Sequence, residues 1–133
     1  MASIPLLIVP FIIFNLGLAG MLGGGAAGPW EQVLFTIPMM SGGDWSMTLG
    51  DLTILIALIL LFVEIMKSTR TSNASVIDHL LSTFVFVAYL VEFLLVRGAA
   101  HSVFFILLVI ALVDLVAGFS VSIRSAGRDV SFN

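Results

Sequence analysis

The sequence predicts an all-α integral membrane protein with four transmembrane helices, both termini cytoplasmic and an apolar interfacial outer loop. Three observations predict it. Hydrophobic residues make up 60% of the 133-residue chain and charged residues only 10%, against about 25% charged in an ordinary soluble domain. The apolar residues gather into four stretches of spanning length, at about 4–22, 49–66, 76–97 and 99–123. Helix-start signals precede the second and third. The whole chain, 1–133, reads as one membrane domain, with 23–48 as the outer loop.

The first stretch contains Pro5 and Pro10, then Asn15, Gly17 and Gly20. Pro5 suits a first helical turn, and Pro10 kinks the helix unless the helix begins there. Without a basic leading region, the segment reads as an uncleaved span and not as a signal peptide. In "SMTLGD", Thr48 and Asp51 have capping-box spacing and open the second span. In "SVID", Ser75 and Asp78 repeat the signal for the third, which Arg97-Gly98 should end, with the glycine free to turn left-handed. A residue or two then separates spans three and four, so they should form a tight antiparallel hairpin. Spans of roughly 18 to 24 residues cross a ~30 Å hydrocarbon core.

Orientation follows from the basic residues. Lys67, Arg70, Arg124 and Arg128 lie at one level and only Arg97 at the other. Basic residues stay inside, which puts the 67–75 loop and both termini in the cytoplasm. The outer loop has Glu31 and Asp44 and no Lys or Arg, and Trp30 and Trp45 bracket its apolar run "QVLFTIPMM". Tryptophan prefers the interface, so this run is expected on the outer surface. "GGGAAG" before it reads as a flexible link, and the glycosylation pattern "NAS" at 73–75 is discounted because it falls inside.

Every residue from Val103 to Val113 is apolar, and Asp114 follows. A stripe of Phe104, Leu107, Ala111, Asp114, Gly118 and Ser122 turns small or polar towards its lower end, while Val109, Leu112, Val116 and Phe119 lie opposite. Asp114 should therefore face protein. Counting along the helices places Asn15, Ser82 and Thr83 near its level. Asp114 then reads as a protonated polar clasp to these groups, or, more sharply, as a proton- or cation-coupling residue. Glu64, Lys67, Asp78 and His79 form a candidate inner polar cluster, in which Glu64 and Lys67 have the spacing of a helical ion pair. Glu92, Arg97 and His101 form a candidate outer one.

The sequence has no cysteine and a net charge of −3 with five Lys and Arg. Thiol chemistry, zinc thiolate sites and iron–sulfur ligation are excluded, and no basic footprint for nucleic acid exists. Met21, Met39, Met40 and Met47 offer thioethers of the kind that suit Cu(I). No His-Met spacing accompanies them, so no cofactor or metal is expected. No nucleophile–base–acid set is legible, and the glycine run lacks the Lys-Ser/Thr of a phosphate loop, so the chain reads as a non-enzyme. Four spans with a membrane carboxylate are similar in architecture to small multidrug transporters. That family places a glutamate in its first span, where this chain has Asn15, so the likeness stops at architecture. The expected role is an accessory or structural subunit of a larger membrane assembly in a bacterial inner (plasma) membrane, with the bilayer and other membrane subunits as partners. The alternative is a small proton- or cation-coupled transporter or channel that works as a homo-oligomer, with Asp114 as its coupling residue.

Overall fold

A computed structural model describes residues 5–21, 28–68 and 73–131, with side chains throughout except at 68, 73–76, 78 and 121–131. Residues 23–27 of the "GGGAAG" link, Arg70, the Ser75 cap and the side chains of Asp78, Arg124 and Arg128 lie outside the described residues. Among these residues the protein is mostly helical: α1 (Ile8–Leu18), α2 (Leu49–Ser68), α3 (Asn73–Leu95) and α4 (Ser102–Ser131). Between α1 and α2 come a 3-10 turn at Pro29–Glu31 and two strands, β1 (Val33–Pro38) and β2 (Asp44–Thr48).

Helix α1 is shorter than the expected 4–22. Pro10 is its third residue, where no intrahelical amide bond is lost. The other end closes at Gly20, whose φ of +83° only glycine adopts freely. There Gly20 N–H donates to Gly17 O at 3.1 Å and Met21 N–H to Leu16 O at 3.1 Å, which satisfies the last carbonyls. The 11 residues of α1 rise only about 16 Å. Among the described residues, two helical stretches are long and apolar enough to cross a membrane, Leu49–Lys67 with mean hydropathy 2.4 and Ser102–Ser120 with 2.7.

The segment expected as an apolar outer loop contains an antiparallel β-hairpin. β1 and β2 pair Phe35 with Met47, Thr36 with Ser46, Ile37 with Trp45 and Pro38 with Asp44, and a bulge falls at Leu34. Phe35, Ile37, Trp45 and Met47 share one face. The other carries Thr36 and Ser46, whose hydroxyls hydrogen-bond at 2.8 Å. Gly42, at φ +92°, makes the turn, and Met39 N–H donates to Gly43 O at 2.7 Å. β-Branched and aromatic residues in alternation around Ser41-Gly42-Gly43 favour a hairpin over a featureless loop. Strand β2 runs into α2 without a linker through the capping box: Asp51 N–H donates to Thr48 Oγ1 at 3.1 Å, and Thr48 N–H to Asp51 Oδ2 at 3.2 Å.

Helices α3 and α4 form the expected antiparallel pair, but their joint differs. Val96 is extended, and Arg97–Ala99 form a 3-10 turn. Helix α4 thus begins at Ser102 and not at 99 or 100, and it runs to Ser131, beyond the expected 123. Gly98 is not left-handed. Its role is close approach: a Cβ added there would lie 2.7 Å from Leu18 Cδ2 on α1.

Helix α4 packs most extensively, against α3 on one side and α2 on the other. The core near the hairpin is aromatic. Phe104 on α4 is fully buried and touches Phe11, Phe14, Tyr89 and Phe93. Phe14 stacks on Trp30, with ring centroids 4.6 Å apart and planes 6° from parallel. Trp30 was expected at the interface; it is 4% exposed. It wedges between α1 and α2 because Gly17 and Gly50 leave room: Cβ atoms added there would lie 2.5 Å from the indole and 3.0 Å from Trp30 O. Trp45 stays exposed on the hairpin, edge-on to Phe35.

Candidate functional site

The buried polar and ionisable side chains lie mainly in the half of the bundle away from the hairpin: Glu64 on α2, His79 and Ser82 on α3, and Asp114 on α4. Their positions follow from helical rise. Asp114 lies 12 residues into α4, about 18 Å below its start, and Gly118 one turn, about 6 Å, further. Phe104, Leu107, Ala111, Asp114 and Gly118 are all buried, and Val109, Leu112, Val116 and Phe119 are exposed. Asp114 therefore lies on the face that packs against protein.

His79 is the residue that meets this face. A Cβ on Gly118 would lie 2.7 Å from His79 Cε1 and 2.8 Å from Nδ1, so only glycine lets the ring rest there. The ring also tilts against Phe119, with centroids 5.5 Å apart. The small residue in the stripe is thus the seat of an imidazole one turn from a buried carboxyl. Thr83, expected as a partner of Asp114, donates to the backbone oxygen of His79 at 2.8 Å. Threonine commonly bonds back one turn within its own helix, and its oxygen keeps lone pairs that can accept a further hydrogen bond.

Asn15, also expected at Asp114, bonds back within its own helix: its Nδ2 donates to Phe11 O at 2.8 Å. Because α1 is short and its last turn abuts Gly98, Asn15 sits nearer the hairpin end than a full-length span would put it. On α3, Glu92 Oε2 is buried and has no hydrogen-bond partner.

The expected outer cluster accordingly divides. Arg97 is exposed on its 3-10 turn. His101 Nε2 meets Glu31 Oε2 at 3.2 Å, and its Nδ1 accepts the Val103 amide at 3.0 Å, capping α4. A ring nitrogen that accepts an N–H is unprotonated, so the proton of neutral His101 lies on Nε2, towards Glu31.

Glu64 pairs with Lys67 at 3.2 Å, the spacing of neighbours on one helix. It also accepts the Leu6 amide at the start of α1. Leu6 precedes the α1 N-cap, Leu7, and the first helical amides, of Ile8 and Val9, donate to Pro5 O and Leu6 O. Glu64 therefore fastens the chain just ahead of α1 to another helix, where a carboxylate also suits the positive end of the dipole. Nearby, Tyr89 Oη donates to Leu7 O at 2.8 Å, a buried bond. The start of α1 is therefore tied to α2 through an amide and to α3 through a carbonyl. No single-residue signal announced these ties, since a backbone partner has no side chain to recognise.

Among the described residues, no group of three or more His, Asp or Glu side chains is placed to hold a metal ion. The inner set can hold helices together by hydrogen bonds, and its ionisable members can also exchange protons. Comparison of the chain with protein-family models, with curated proteins and with solved structures finds no match.

Proposed function

We propose that the chain is a four-span protein of a bacterial inner membrane, with both termini cytoplasmic, that serves as an accessory or structural subunit of a larger membrane assembly. One observation carries the reading: the interior near the hairpin is filled with rings while the exterior is left apolar. Phe14, Trp30, Tyr89 and Phe104 are all at most 4% exposed. Leu58, Ile59 and Phe62 on α2, Phe84, Val87 and Val91 on α3, and Val109, Leu112 and Val116 on α4 are exposed. In water such surfaces would aggregate, whereas lipid or neighbouring subunits cover them at no such cost. A filled core favours a structural role over a pathway through a single copy. The hairpin, held rigidly to α2 by the capping box, offers a further contact surface beyond the bundle. On this reading α1 belongs to the first span, and the protein is not an enzyme.

A second reading has its own support. Glu64, His79 and Asp114 are buried on three different helices, and intramembrane ionisable groups commonly mark ion paths. That favours a homo-oligomeric proton- or cation-coupled transporter with Asp114 as its coupling residue. Gentle detergent extraction followed by size and mass measurement separates the two. A complex with other membrane proteins supports the subunit reading; a homo-oligomer alone supports the transporter.

A further inference from the structure

Two contacts fix the register of α3 against α4. Phe93 meets Phe105 near the hairpin, and His79 meets Gly118 at the other end. One turn from the second contact towards the hairpin leads from His79 to Ser82 on α3 and from Gly118 to Asp114 on α4. Ser82, His79 and Asp114 are all buried. A hydroxyl and a carboxyl thus share one level of the α3–α4 seam, and an imidazole lies one turn, about 6 Å, below them. The two ends of this column differ. Towards the hairpin, Ala111, Leu107 and Phe104 follow Asp114 on the same face of α4, each at most 2% exposed. Phe104 there packs against the rings of Phe14 and Tyr89. Towards the other end, His79 is only six residues from the start of α3 at Asn73, about 9 Å along the helix. Among the described residues, the other buried ionisable side chain of this half is Glu64 on α2, which is held by Lys67 and by the Leu6 amide.

We propose that Asp114 is a proton-binding site served from the end of the bundle away from the hairpin, with His79 and Ser82 as its relay. A neutral imidazole accepts a proton from water on one ring nitrogen and releases the proton of the other. The Ser82 hydroxyl takes that proton as it gives its own to the Asp114 carboxylate, since a hydroxyl both accepts and donates. The carboxylate becomes a carboxyl, the ring ends neutral as its other tautomer, and a turn of the ring restores the first. Gly118 is a positioning residue: a Cβ there would meet the ring at 2.7 Å and push it out of the column. On the hairpin side the column ends at Leu107 and Phe104, whose side chains neither donate nor accept protons, so Asp114 exchanges with one end only. The inference rests on the membrane reading above and holds for either role proposed there.

The test places the full chain in phosphatidylcholine nanodiscs and follows the Asp114 carboxyl by time-resolved infrared spectroscopy after a rapid drop in pH. The band is assigned by its absence in Asp114→Asn. His79→Gln should slow proton uptake about a hundredfold, within the range a positioned proton-transfer group contributes, and leave the final amplitude unchanged. His79→Ala should slow it as much, and free imidazole in the buffer should restore the rate, which a merely structural role for the ring would not allow. Ser82→Ala and Gly118→Ala should also slow uptake, the second while keeping the imidazole. Equal rates in the unaltered chain and both His79 variants overturn the relay and leave the membrane reading standing. A carboxyl band that does not respond to pH overturns the relay and the coupling role of Asp114 together. A chain that does not enter the discs overturns the membrane reading and the relay with it.

Discussion

Removal of the Trp30 side chain should be the most damaging single truncation near the hairpin. The indole is 4% exposed, stacks on Phe14 at 4.6 Å and fills the space that Gly17 and Gly50 leave open. Trp→Ala in a packed core costs about 3–5 kcal/mol, because surrounding helices collapse only partly into the void. The lost stack with Phe14 accounts for roughly 0.5–1.5 kcal/mol within that range. A loss of about 4 kcal/mol lowers the folded-to-unfolded ratio about a thousandfold. Gly17→Ala supplies the complementary perturbation. Its new methyl would lie 2.5 Å from the indole, so the ring must shift, at a cost of about 1–3 kcal/mol. The two effects share one cause and should not add. Once Trp30 is alanine, the Gly17 methyl has space, so the double variant should be no less stable than Trp30→Ala alone. Reversible unfolding in mixed micelles, followed by circular dichroism for all four proteins, measures the cycle. Strictly additive losses, or a Trp30→Ala loss below about 1 kcal/mol, would refute the wedge argument.

Glu64→Ala should release the start of α1 and cost about 1.5–3 kcal/mol, as loss of a hydrogen bond to a charged group does; protease cleavage near Leu6 should accelerate, and an unchanged rate would count against the tie. Asp114→Asn should assemble and function almost normally if Asp114 is a clasp, since asparagine keeps the size and hydrogen bonding but cannot ionise. Normal assembly with loss of pH-dependent flux in vesicles would instead promote the transporter reading. Single cysteines on the hairpin should react with a membrane-impermeant thiol reagent according to face, slowly at Phe35 and Ile37 and quickly at Thr36 and Ser46; equal rates would mean that neither lipid nor protein covers the apolar face. A reporter active only outside the cytoplasm should be active when fused after Asp44 and silent after Ser72 or Asn133, and activity at Asn133 would remove the topology with both ends inside.

What the sequence determined by itself was local or periodic. The Thr48–Asp51 capping box was legible because both partners lie within one turn, and the Glu64–Lys67 pair for the same reason. The buried face of α4, from Phe104 through Asp114 to Gly118, was legible because a 3.6-residue period separates small from bulky side chains. The hairpin was also within reach: "FTIP" and "DWSMT" alternate around a Gly-Gly turn, but 60% hydrophobic composition made every apolar run read as lipid-facing. Only the tertiary structure decided which helix lends a partner to which. Leu6 and Glu64 are 58 residues apart, Leu7 and Tyr89 82 apart, and Trp30 reaches Phe14 from a separate segment. Depth counting assumed spans of equal length, and the 11-residue α1 breaks that assumption. It leaves the start of α1 within reach of Glu64 on α2 and Tyr89 on α3. Contacts between distant segments depend on where each helix starts and stops, and those limits are set jointly by backbone groups that need partners and by side chains that must fill space.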